Sequence, residues 1–169
     1  MVGERSDYNR TFRGAALAAR LRRLSERLDR DGTRVYAAHG IQFEQRWYGI
    51  LRQLTSNGPM SVGEIAAAIQ ISHASVSEAR RSLEKAGIVV AAISPEDGRR
   101  RTLKLTPAGL ALCERLFPLW EDFNAAAQEL NDEAGDVVRL LDRLDDALAQ
   151  RPMYDRIMDR AASRKVDNP

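Results

Sequence analysis

The chain has 169 residues, 44% of them hydrophobic and 30% charged, which is enough for one substantial domain or for one domain with long extensions. Residues 1–60 hold 11 basic and 6 acidic side chains, 61–106 hold 7 and 5, and 107–169 hold 8 and 13, so a net charge of +2 hides a basic front and an acidic rear. That asymmetry suits a protein presenting one face to a polyanion, while the single cysteine, Cys113, excludes an intrachain disulfide and any cysteine-rich zinc site.

Leucines 17, 21, 24 and 28 recur at helical spacing within 9–36 and predict a first helix, with Asp31-Gly32 as its expected kink or end. A second helix is expected from Phe43 to about Leu54, stopped by "SNGP". Ser61 and Glu64 in "SVGEIAAAI" have the spacing of a capping box and open a short third helix. Ser72 caps a fourth, ending near Ala86 with Gly87 in the C-terminal glycine position. "IVVAAIS" and "RTLKL" read as strands joined through "PEDGRR". Thr106-Pro107 starts another helix, with Leu112, Leu116, Leu119, Trp120, Phe123, Ala127 and Leu130 on a wide apolar stripe. "NDEAGD" makes a new start, Val137, Leu141, Leu144 and Leu148 continue the stripe, and Pro152 opens a short last helix.

The expected fold is therefore mainly α with a small β-hairpin wing: a winged helix-turn-helix flanked by terminal helices. We divide it into an N-terminal helix and connection (1–42), a winged helix-turn-helix (43–106) and C-terminal helices (107–169), forming one intertwined unit. The terminal stripes carry more apolar surface than a small winged domain can cover. A dimer core shared between two copies is the expected use of Leu17, Leu21, Leu24, Val137, Leu141, Leu144 and Leu148, with Leu116, Trp120 and Phe123 joining it.

On a helical wheel of 72–86, Val76, Ala79, Leu83 and Ala86 cluster on one side. Ala74, Ser77, Glu78, Arg81 and Lys85 face roughly opposite, with His73 and Arg80 at the boundary. A helix of this kind can enter a major groove, its short residues Ser72, His73, Ala74 and Ser75 letting the backbone approach. Ser72, His73, Ser75, Ser77, Arg80 and Arg81 are the candidate contacts there, Arg81 with reach for a guanine edge or a phosphate. Arg99, Arg100 and Arg101 at the hairpin tip can reach a minor groove or its phosphates, and Asp97 helps fix the turn.

The segments "MSVGEIAAAIQIS", "VS....SLEKAGIV" and "PEDGRR....LKLTPAG" resemble the multiple-antibiotic-resistance regulator (MarR) family of bacterial winged-helix transcription factors. The resemblance is best from Gly58 to Gly109. It implies a cytoplasmic homodimer with interlocked terminal helices that reads a near-palindromic double-stranded operator, most simply as a repressor. It further implies that Arg99 enters the minor groove, that Asp97 shapes the wing, and that Ser72, Ser75 and Ser77 stand at the DNA-facing start of the recognition helix. Many members release DNA when a small aromatic molecule binds, and Tyr36, His39, Trp47 and Tyr48 stand near where such a pocket would form, although aromatics at a helix junction are more often core. Glu78, Arg80 and Arg81 depart from the family pattern. Glu78 has two open uses: pairing with Arg81 across a helical turn, or accepting from a cytosine amino group.

No nucleophile elbow, phosphate loop or histidine–carboxylate set is present, so no enzyme and no cofactor are expected. The two histidines, His39 and His73, have no ligand partner nearby in sequence, and no metal site is expected. Cys113 reads as a packed, inert thiol rather than an oxidant sensor. The absence of about 18 consecutive apolar residues and of an apolar signal core in "MVGERSDYNR" argues for a reducing cytoplasm and no membrane partner. The alternative to DNA binding is a protein-interaction module that kept the winged fold, for which Glu78 on the exposed helix face is the argument.

Overall fold

A computed structural model of the chain describes residues 11–93 and 101–166. After a 3-10 turn at Arg13–Ala16, helix α1 runs Leu17–Ala38, a second 3-10 turn occupies Gln45–Trp47, and α2 spans Tyr48–Asn57. Then come α3 (Val62–Ala68), α4 (His73–Lys85), β1 (Val89–Ile93), β2 (Arg101–Leu105), α5 (Pro107–Glu133), α6 (Val137–Gln150) and α7 (Met153–Val166). This is the mainly α fold with a two-stranded wing that the sequence predicts. Two compact units divide it, residues 1–113 and 114–169, with α5 crossing the boundary between them.

The helix starts are the local chemistry that the sequence spells out. Ser61 Oγ accepts from Glu64 N at 3.3 Å, and Glu64 Oε2 accepts from Ser61 N at 2.8 Å, which closes the capping box of α3. Ser72 Oγ accepts from Ser75 N at 3.1 Å at the head of α4. Gly87 has φ +71°, the left-handed value that ends a helix most cheaply at glycine.

Gly32 behaves otherwise than expected. Helix α1 continues through it to Ala38 without a break. A Cβ at this buried position would stand 3.1 Å from the Gln45 side chain, so the glycine serves the close approach of the 45–47 turn. The roughly 1 kcal/mol that glycine costs inside a helix is not enough to end one that packs on a neighbour. The last helix, expected to be short, runs for 14 residues.

In the first unit α3 packs on α4, α4 on β1 and α2 on β2. Ile50, Leu51, Leu54, Ile65, Val76, Leu83, Val89 and Leu103 form its buried core. The strands pair antiparallel from Val89↔Leu105 to Ile93↔Arg101. Met60 adds a bridge to the sheet, donating to Leu103 O at 3.1 Å and accepting from Leu103 N at 2.7 Å.

Candidate nucleic-acid interface

The helix-turn-helix angle is set between α3 and α4. Gln70 takes a left-handed conformation (φ +53°) and its side chain donates to Ala67 O at 2.7 Å. The turn thus uses a residue other than glycine, stabilised by its own amide, and no local sequence rule singled it out. Val76, Ala79 and Leu83 are at most 1% exposed, which fixes how α4 is rotated. Its opposite side presents Ser72, His73, Ala74, Ser75, Glu78, Arg81 and Lys85 to solvent, with Ser77 half-buried.

Two of the candidate contacts already have work within the protein. Ser72 and Ser75 hydroxyls stand 2.8 Å apart while Ser72 caps the helix, so this pair shapes the N-terminal turn. Arg80 lies on the half-buried flank, its Nε 3.7 Å from Glu84 and without a hydrogen bond, while Arg81 and Lys85 point outward with no ion-pair partner among the described residues. Of the arginines, Arg81 is therefore the one that α4 offers most freely.

Glu78 does not take Arg81, its expected partner on the helix. Its Oε1 accepts from Arg46 at 2.6 Å, across 32 positions of chain. Arg46 Nε also donates to Glu44 Oε2 at 2.6 Å. The other Glu44 oxygen accepts from Ser82 Oγ at 2.8 Å, and Ser82 in turn accepts from the buried Trp47 indole at 2.7 Å. An unbroken chain of polar contacts therefore runs from a core tryptophan to a carboxylate on the exposed face of α4. Burial would raise the Glu44 carboxyl pKa, but hydrogen bonds from Ser82 and Arg46 outweigh it and hold it below the ordinary value. The hydrogen bond to Glu44, helped by Glu78, raises that of Arg46 against the opposing effect of burial. Sequence reading missed Glu44, Arg46 and Ser82, because the contacts that unite them are long-range.

The wing follows α4 in the chain, with β1 packed on that helix. Arg101 is exposed at the start of β2, paired with Ile93. Asp97, Arg99 and Arg100, the other expected wing residues, lie outside the described residues.

This geometry can be set beside known proteins. The MarR family model matches residues 39–100, which take in α2 to α4 and the first strand. Over that segment the chain is similar to the MarR family. A protein named as a transcriptional regulator for the hcr operon of Thauera aromatica is 30% identical over 99 residues, covering 57% of this chain; the chain spans 60% of that relative's length. Among solved structures, a MarR/EmrR family transcriptional regulator from Acinetobacter sp. ADP1 aligns with TM-score 0.64 at 22% identity, over 79% of this chain and 94% of its own. BpsR of Bordetella bronchiseptica, whose DNA binding is regulated by 6-hydroxynicotinic acid, aligns with TM-score 0.61 at 22% identity, over 77% and 93%. PcaV of Streptomyces coelicolor, a transcriptional regulator solved with its natural ligand, aligns with TM-score 0.61 at 21% identity, over 81% and 94%. The relatives are regulators of transcription and not enzymes. Within the matched segment α4 is the second helix of the helix-turn-helix, and β1 pairs with β2, just beyond the segment, as its wing.

The remaining expected residues divide by exposure. Leu17, Leu21, Leu24, Val137, Leu141 and Leu148 are exposed, Leu144 is half-buried, and α6 buries no residue at all. Phe123 is half-buried. Leu116 and Trp120, expected in a shared dimer core, are instead 0% and 4% exposed within a single chain, so they belong to the protomer's own core and have almost no area left for a second copy.

The expected effector-pocket residues are mostly core as well. Tyr36 and Trp47 are 2% and 6% exposed, and Phe43 lies between them with ring centroids at 4.4 and 5.8 Å. A ligand would have to displace this packing to reach either ring. His39 is exposed with Nδ1 2.8 Å from Val35 O, and Tyr48 is exposed. Cys113 is buried and its pKa is raised by that burial, against a smaller opposing hydrogen bond with Thr55. Among the described residues no group of three or more His, Cys, Asp or Glu could hold a metal ion, and no helix is long and apolar enough to cross a membrane.

Proposed function

We propose that the protein is a homodimeric, sequence-specific regulator of transcription that binds double-stranded DNA, inserting α4 in the major groove and an arginine wing in the minor groove. The observation that carries this reading is α4 itself. One face is wholly consumed by the core, while the other is bare, short at its N-terminus and tipped by Arg81 and Lys85, beside a hairpin that leads into three arginines. The MarR relatives support the same class, and the exposed stripes on α1 and α6 support two copies per operator. Repression by promoter occlusion, a near-palindromic operator, a cytoplasmic site of action and release by a small aromatic molecule complete the proposal; BpsR and PcaV supply the precedent for a ligand.

Selection of bound duplexes from fragmented genomic DNA tests it. The expected result is a near-palindrome with half-sites about one helical turn apart, lost when Arg99–Arg101 are reversed in charge. Weak binding with no enriched sequence overturns the reading. The interaction-module alternative loses its main support, because Glu78 is not a bare acid but one partner of an ion pair with Arg46.

A further inference from the structure

Glu78 stands where an acid is least welcome to a polyanion: on the second turn of α4, with its side chain 68% exposed. Arg46 answers the charge, and it does so asymmetrically. It engages Oε1 at 2.6 Å, while Oε2 has no partner among the described residues. Arg46 is itself held from the other side by Glu44, which is held by Ser82, which is held by the Trp47 indole. Each link removes freedom from the next, so the exposed carboxylate is fixed by a chain rooted in the core. On the wheel, Glu78 lies between the outward residues Arg81 and Lys85 and the flank of Ser75 and Ser82, so its direction is that of a groove floor when α4 is inserted.

We propose that Glu78 is a base-reading residue, whose Oε2 accepts from the amino group of a cytosine in the major groove, and that Arg46 positions it. This inference rests on the DNA-binding reading above. A carboxylate is the natural acceptor for the cytosine N4 donor, and it meets no donor of that kind on a guanine or thymine edge. The ion pair makes the contact affordable by cancelling repulsion from nearby phosphates while leaving one oxygen for the base. A solvated glutamate would have to be both ordered and desolvated on binding; this one is ordered beforehand.

The test compares duplex selections for the wild-type chain, Glu78→Gln, Glu78→Ala and Arg46→Gln, with circular dichroism to confirm the helical fold of each. In the wild-type site, one cytosine per half-site should be replaceable only at a loss of about fivefold or more in affinity. Glu78→Ala should flatten the preference at that position alone, and Glu78→Gln should move it towards adenine, the base whose edge suits a carboxamide. Arg46→Gln should blur the same position and weaken binding to all sequences together, because the carboxylate is then unmasked. A selection profile unchanged by both Glu78 variants, or shifted in overall affinity with no change at any one position, overturns the proposal while leaving the regulator intact. A profile that stays equally sharp in Arg46→Gln overturns the positioning role. No enriched sequence for the wild type overturns both this inference and the function on which it rests.

Discussion

Ser82 carries two contacts at once, accepting from the Trp47 indole and donating to Glu44, and both depend on one hydroxyl. Ser82→Ala leaves the buried indole N–H without a partner, a loss of about 1–3 kcal/mol; urea unfolding that matches wild type would show that the indole finds water instead. The same chain predicts an acid response. The folded Glu44 carboxyl titrates below its ordinary value of 4.5, so the unfolded chain binds the extra proton first, and the contribution is complete above that value and lost as pH falls through the lowered one. Stability should therefore drop below about pH 4.5 more steeply in wild type than in Glu44→Gln, and parallel curves would show that the contacts carry no linkage. Cys113 offers a simpler contrast. A thiol that is 5% exposed and pushed up by burial should resist alkylation at neutral pH and react promptly once denatured. Rapid labelling of the folded protein would place the sulfur at the surface.

The elements that the sequence announces are those whose signals are local. Ser61 with Glu64, Ser72, Gly87 and Thr106-Pro107 each mark a helix end within a few residues, and the structure puts caps or ends at those places. What it does not announce depends on distant partners: Gly32 reads as a break until Gln45 is seen against it, and the bridge from Met60 to Leu103 has no local trace. The Glu78–Arg46 pair is of the same kind, and for that reason the wheel could place the carboxylate on the right face but not give it the right partner. Gly109 shows the physics most plainly. Thr106 Oγ1 donates to Gly87 O at 2.6 Å and accepts from Gly109 N at 3.0 Å, which draws the start of α5 against the exit of α4. A Cβ on Gly109 would stand 2.1 Å from the Ile88 carbonyl oxygen, so Gly109→Ala must shift backbone, not a side-chain tip. A cost of about 1–3 kcal/mol or more is expected in urea unfolding, and an alanine variant as stable as wild type would refute the close approach.

The winged segment buries a core of its own, whereas α1 and α6 leave most of their leucines exposed. Leu21 on α1 and Leu141 on α6 are 37% and 39% exposed, and they recur within stripes whose leucines are mostly exposed. Stripes of this kind suit the proposed dimer, in which a second copy that brings the same stripes would cover them by symmetry. Because Leu116 and Trp120 are buried within one chain, the interface of the proposed dimer would be built from the outer positions, and substitutions there would not empty the protomer core. Leu21→Glu with Leu141→Glu should therefore yield a folded monomer, read by sedimentation velocity and circular dichroism together. The same variant should bind a single half-site but lose most of its affinity for the full operator, because joining two half-sites in one molecule converts the second contact into an intramolecular event. The salt dependence then separates charge from symmetry: the logarithmic slope, about 0.9 per neutralised phosphate, should fall by about half in the monomer. A double variant that remains dimeric, or a monomer with the wild-type slope, would move the dimer contact away from α1 and α6.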